Sequence, residues 1–247
     1  MSGNSYDLDV ITWSPEGKLL QVEYATEATK QGSCCIGIRS QKFAVLVTTK
    51  KAVDDLSYLT SKMRLVSEQL GLTFSGITND AKFLSRALFN VDAYYQYLYR
   101  RHASMHTMMN VYTSIAQTNT IRSDRRPFGV SLLLAGYDAY GPHIFETRPS
   151  GEVEEYEAFA IGRHSQSAKT YLEKNQSAFA ECSLRDLKIH GIKALLKTTT
   201  EDGQTLTPEM LEICEPSLEG SPSVAVLKSD AHLTSKVTNL SSRKELE

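Results

Sequence analysis

The chain has no long apolar run, no excess of basic residues and no short motif that announces a common catalytic chemistry. Its longest apolar stretch, Val130 to Ala135 with Ser131 inside it, is far too short to cross a bilayer, so no membrane partner is expected. Residues 1–13 carry Asp7 and Asp9 and lack a basic region followed by an apolar core, which does not read as a secretory signal. A net charge of −2 gives a nucleic-acid partner no electrostatic support. Cys-x-x-Cys is missing, which disfavours a zinc ribbon or a thioredoxin-type site. The four cysteines, Cys34, Cys35, Cys182 and Cys214, read as reduced thiols of the cytosol or nucleus. As strand neighbours, Cys34 and Cys35 point to opposite faces and do not suit a bridge. There is no Gly-x-Ser-x-Gly elbow, no Walker loop and no Gly-x-Gly-x-x-Gly.

Other clusters invite a functional reading and have a plainer one. His102 and His106 share the spacing of two helical metal ligands, but Ala-Ser-Met lies between them without the Glu of a zinc-protease helix. No metal or cofactor is expected. Arg122, Arg125 and Arg126 suit a solvated connector or an ion pair to a neighbour better than a phosphate site. Tyr94, Tyr95, Tyr97 and Tyr99 point in different directions on a helix, which favours core and partner packing over a base-stacking platform. Glu152, Glu154, Glu155 and Glu157 read as an acidic strand edge.

What is present is a chain of 247 residues of ordinary globular composition, 41% hydrophobic and 23% charged. Segments 33–38 and 43–49 read as strands, the second apolar on both faces and therefore buried on both sides. A short strand pair at 65–66 and 70–75 precedes helices over 80–101 and 105–121, with Phe83, Ala87, Tyr94 and Leu98 along one face of the first, beside Leu84, Leu88 and Val91. Strands follow at 130–137, 143–147 and 152–161, then helices near 165–181 and 184–197, then strands near 211–214 and 224–227. Strands, two helices, strands, two helices, strands: the order predicts two packed sheets with helix pairs outside, one layered domain.

The N-terminal segment is the most specific. Ser14-Pro15-Glu16-Gly17 has Pro where a turn wants its preset φ. A helix without Pro or Gly runs from Lys18 towards Gly32. Tyr6, Val10, Ile11 and Trp13 make the preceding arm too apolar to be left in water without a use. Tyr6-Asp7, Ser-Pro-x-Gly, a basic residue and Gln21-Val22-Glu23-Tyr24-Ala25 together resemble the N-terminal signature of proteasome alpha-type subunits. Further family blocks are 74–81, 126–138 and 141–145, and Ile161 to Glu173 is similar to the alpha-type-one branch. The matches span residues 6–197.

The resemblance implies a four-layer α/β/β/α sandwich of the N-terminal-nucleophile hydrolase fold, preceded by the alpha-subunit helix. The implied division is a gate arm and signature helix at 1–32, the sandwich at 33–228 and a polar tail at 229–247. It implies a heptameric ring with other alpha subunits, stacked on the beta ring and docking the C-termini of regulatory particles or activators, in cytoplasm and nucleus. Active beta subunits start their first strand with a free Thr. The equivalent Ser33 follows 32 residues, Thr48-Thr49-Lys50 stands where an Asp is wanted, and no catalytic residue is assigned. The alternative, an active amidohydrolase, needs cleavage before Ser33 or Cys34. By the same resemblance Tyr6, Asp7, Pro15 and Tyr24 are the gate cluster, with Leu8 where many relatives have Arg. Lys62 and Gly76 correspond to a pocket for activator carboxylates.

Overall fold

The computed structural model describes residues 6–50, 56, 58–202, 207–216 and 223–226. Helix α1 (Leu20–Lys30) leads into β1 (Cys35–Arg39), β2 (Ala44–Thr49), β3 (Met63–Leu65) and β4 (Leu70–Gly76). Helices α2 (Thr78–Tyr99) and α3 (Met105–Thr120) precede β5 (Val130–Asp138), β6 (Gly141–Thr147), β7 (Val153–Tyr156) and β8 (Ala158–Ile161). Then come α4 (Ser165–Lys174), α5 (Gln176–Phe179), α6 (Leu184–Asp202), β9 (Leu211–Glu215) and β10 (Ser223–Val226). The strands form two antiparallel sheets, ordered β10-β9-β2-β1-β8 and β3-β4-β5-β6-β7. The expected tail from residue 229 lies outside the described residues.

The period-two alternation of strands sorts side chains into layers. Ile36, Ile38, Val45 and Val47 meet Ala168, Leu172, Leu187 and Leu195 of α4 and α6. The intervening Cys35, Ala44 and Leu46 meet Leu133, Ala135, Tyr137 and Ile144 of the other sheet. Val130, Leu132 and Leu134 point the opposite way, to Leu84, Leu88, Met105, Met108 and Tyr112 of α2 and α3. Each such large side chain contributes about 1.5–3 kcal/mol on burial, so the four layers are held mainly by these three apolar seams.

Three expectations need correction. The strand expected over 152–161 is two strands: β7 pairs with β6 in one sheet, β8 with β1 in the other, and only Glu157 lies between them. Continuous β-propensity hides a change of sheet. Gly141-Pro142 does not divide strands but opens β6, because Pro142 needs no ladder N–H there. Of the apolar face assigned to α2, Leu84, Leu88 and Val91 do pack against the core, but Phe83, Tyr94 and Leu98 are exposed. The buried line of the helix is Ala81, Leu84, Leu88 and Asp92, while Phe83, Phe89, Tyr94, Tyr97 and Tyr99 are each more than half exposed. Two apolar lines run along this helix, and the sheet takes the one with compact side chains. Tyr94, Tyr97 and Tyr99 therefore stand outside this chain's core.

Asp80, in the first turn of α2, pins the helix to the entry of β5. Its carboxylate receives both Arg126 guanidinium nitrogens at 2.7 and 2.8 Å and the Gly129 N–H at 3.0 Å. Arg126, expected to be solvated or to reach a neighbour, is thus paired within the chain. Burial pushes the Asp80 carboxyl up, but Arg126 and the Gly129 amide outweigh it and hold the carboxyl below its ordinary range. Arg126→Ala strands a carboxylate only 8% exposed, but the guanidinium is itself 62% exposed. The expected loss is therefore about 1–2 kcal/mol, below that of a fully buried pair, read as a lower urea midpoint. Because the folded pKa lies below the unfolded value of 3.8, this contribution is present at neutral pH. It fades as pH falls through the lower folded pKa, so the gap between wild type and variant closes only in strong acid.

Candidate functional site

At the start of β1 the backbone carries Ser33, joined by a peptide bond to Gly32 and through it to α1. The packing around this bond is tight. A β-carbon on Gly32 would lie 2.2 Å from Ser75 Oγ and 2.6 Å from Gly76 N. One on Gly162, at φ +98°, would lie 2.7 Å from Ser33 O and 2.9 Å from Gly32 O. The Gly32 carbonyl accepts the Arg163 N–H at 2.8 Å. Ser75 Oγ donates to the Thr29 carbonyl at 2.6 Å, stitching the last turn of α1 to β4. Ser33 Oγ is buried and has no hydrogen-bond partner among the described residues.

Where a base could approach from β2, Thr48 stands instead. Its Oγ1 donates to the Cys34 carbonyl at 3.2 Å and lies 3.1 Å from Cys35 Sγ. Burial, helped by Cys35, pushes the Cys34 thiol far above its usual pKa, so it is no ready nucleophile. A serine nucleophile needs a base or a free amine to take its proton.

Ahead of α1, the arm turns at Ser14–Gly17, where the Gly17 N–H donates to the Ser14 carbonyl at 2.9 Å and Gly17 takes φ +76°. Val10 is buried, whereas Leu8, Ile11 and Trp13 are exposed. Of the four expected gate residues the structure brings two together: Tyr24 Oη donates to Asp7 Oδ2 at 3.4 Å. Tyr6 and Pro15 are exposed, and among the described residues no hydrogen bond joins either side chain to that pair. Gln21, which belongs to the signature but not to the expected gate cluster, donates through Nε2 to the Asp7 carbonyl at 2.5 Å. Its place one helical turn before Tyr24 is the available signal.

Lys62 immediately precedes β3 and Gly76 ends β4, the strand that pairs with it at one sheet edge. Lys62 Nζ lies 5.7 Å from the centroid of the Phe74 ring, and its backbone N–H donates to Glu212 Oε2 at 3.1 Å. Ser61 Oγ donates to the other oxygen of the same carboxylate at 2.5 Å. Buried Glu212 thus fixes the segment that presents Lys62, a link from β9 to the start of β3 that no local pattern announces. Among the described residues no carboxylate pairs with the Lys62 ammonium. Gly76 has a structural reason to be glycine: φ is +118°, and a β-carbon would lie 2.2 Å from the Gly129 carbonyl oxygen.

The clusters set aside in the sequence find ordinary partners. His102 Nδ1 lies 2.8 Å from Asp92 Oδ2, and His106 stacks edge-on against His143 and Phe145. Glu152 and Glu154 pair with Arg148, and Glu155 with His143. Among the described residues no group of three or more His, Cys, Asp or Glu is placed to hold a metal ion. Gly76→Ala is expected to cost at least about 2 kcal/mol through backbone strain and the Gly129 clash, measured as a fall in Tm. An unchanged Tm would mean that β4 can move away from Gly129.

Two family models match this chain in comparison with known proteins. A family described as the N-terminal signature of A-type proteasome subunits matches residues 6–28, and the general proteasome subunit family matches residues 29–215. Proteasome subunit alpha type-1 of Dictyostelium discoideum is 39% identical over 231 residues, covering 94% of this chain and 93% of that protein. Proteasome subunit alpha type-1 of Drosophila melanogaster is 42% identical over 204 residues, 83% of this chain and 73% of that protein. The probable proteasome subunit alpha type-6 of Schizosaccharomyces pombe is 40% identical over 213 residues, 86% and 78% of the two chains. With the alpha-type signature on its arm and first helix and the subunit match over the sandwich, the chain belongs to the proteasome subunit family as an alpha-type member.

Proposed function

We propose that the chain is a non-catalytic subunit of the alpha ring of the proteasome core particle. In this reading it packs with other alpha subunits in a heptamer, caps the beta ring and controls substrate entry to protein degradation, ubiquitin-dependent or not. It works without a cofactor, in cytoplasm and nucleus. The observation that carries it is the seat of α1: the helix ends in a close-packed backbone crossing that ties the Ser33 amine into the chain. Ser33 then lacks the free amine that N-terminal nucleophiles use as base. The exposed Tyr6, Leu8, Ile11 and Trp13 of the arm fit a surface that orders against neighbouring arms at the pore.

Lys62 supports a docking role beside the gate. Its ammonium, unpaired among the described residues and resting near a ring, can meet a C-terminal carboxylate without first breaking an ion pair. Gly76 contributes backbone there, and its residue type is already demanded by its φ.

Native mass measurement of the endogenous protein is expected to find it in a very large assembly, and a free monomer would overturn the reading. A peptide-based electrophile aimed at N-terminal nucleophiles is expected to leave Ser33 unmodified. An acyl adduct on Ser33, with a new N-terminus there, would establish the amidohydrolase instead. Lys62→Glu in a reconstituted particle is expected to weaken activator binding at the pockets bordering this subunit while the ring still assembles. Unchanged binding would remove Lys62 from the docking site.

A further inference from the structure

Two side chains of α1 reach the arm at Asp7, and they are not equal. Tyr24 makes an exposed contact to the carboxylate at 3.4 Å, near the limit at which a hydroxyl bond retains strength. Gln21 makes a half-buried bond to the main-chain carbonyl at 2.5 Å. A bond to the backbone fixes where the chain runs, whatever the Asp7 side chain does. Further along the arm Val10 is buried, 8% exposed, and its N–H is taken locally by Asp9 Oδ1 at 2.7 Å. Between Asp7 and Val10, Leu8 is 85% exposed.

We propose that Gln21 is the positioning residue of the arm: its amide sets the path of the main chain at Asp7, and so frees the Tyr6 and Asp7 side chains for a neighbouring subunit. This rests on the gating role proposed above for its effect on substrate entry, but not for its effect on the arm. The geometry separates two jobs that one cluster would otherwise share. Gln21 holds the backbone from below, and the aromatic and acidic groups above it remain available to bond across the pore. Tyr24 is then a weak accessory tie inside the chain.

The test uses the assembled particle, with Gln21→Ala, Gln21→Glu, Gln21→Lys and Tyr24→Phe in this subunit. Hydrogen exchange of the amides at residues 6–13 reads the arm, and hydrolysis of a short fluorogenic peptide by the latent particle reads the entrance. Gln21→Ala, and Gln21→Glu with a carboxylate facing a carbonyl, are expected to speed arm exchange about fivefold, the weight of one hydrogen bond. Gln21→Lys, which restores a donor of similar reach, is expected to return exchange to within about twofold of wild type. Tyr24→Phe is expected to have a smaller effect than Gln21→Ala. Exchange unchanged in Gln21→Ala, or changed more by Tyr24→Phe, would overturn the proposal. If the Gln21 variants loosen the arm but neither they nor deletion of residues 1–12 raises peptide hydrolysis, the tether stands and the gating role falls.

Discussion

Where α1 meets the ends of the two sheets, backbones cross so closely that side chains are excluded. Gly32 lies against Ser75 and Gly76, Gly76 against Gly129, and Gly162 against Gly32 and Ser33. Such a crossing tolerates only glycine at its tightest points, and it decides much of the rest. It sets where α1 lies, hence where the arm leaves the body of the protein. It also fixes the backbone at Gly32 and Ser33, just ahead of β1. The seat of α1 and the exit of the arm follow from one packing constraint.

The layering is open to reading because the strands alternate cleanly. Val45 and Val47 against Ala44 and Leu46 announce a strand with two apolar neighbours, and a stack of two sheets is the simplest way to supply them. The positions of α1, α2 and α3 follow from runs without Pro or Gly. The break at Glu157 does not show, since nothing in Glu-Tyr-Glu-Ala-Phe-Ala distinguishes a strand that continues from one that changes sheets. The buried face of α2 is easily misjudged because counting apolar residues at helical spacing favours aromatics, whereas a close-packed interface favours Leu and Ala.

The site is legible where it is local in sequence and obscure where it is not. The Ser-Pro-x-Gly turn and the Asp7–Tyr24 pair lie within one short segment, and both are found in the structure. Glu212 holding Ser61 and Lys62, and Asp80 taking Arg126, join residues far apart in the chain, so only the fold brings them into contact. Gly76 stands between these cases: the family resemblance implies a docking role for it, while its φ gives it a separate architectural one.

The sheet change at Glu157 has a mechanical meaning. A single residue couples the outer strand of one sheet to the outer strand of the other, leaving no slack along that edge. Shearing one layer over its partner would stretch a short covalent link, since a residue spans only about 3.3–3.6 Å. The body is therefore braced like a box with one sewn side. Large displacement is left to parts outside the brace, such as the N-terminal arm beyond α1.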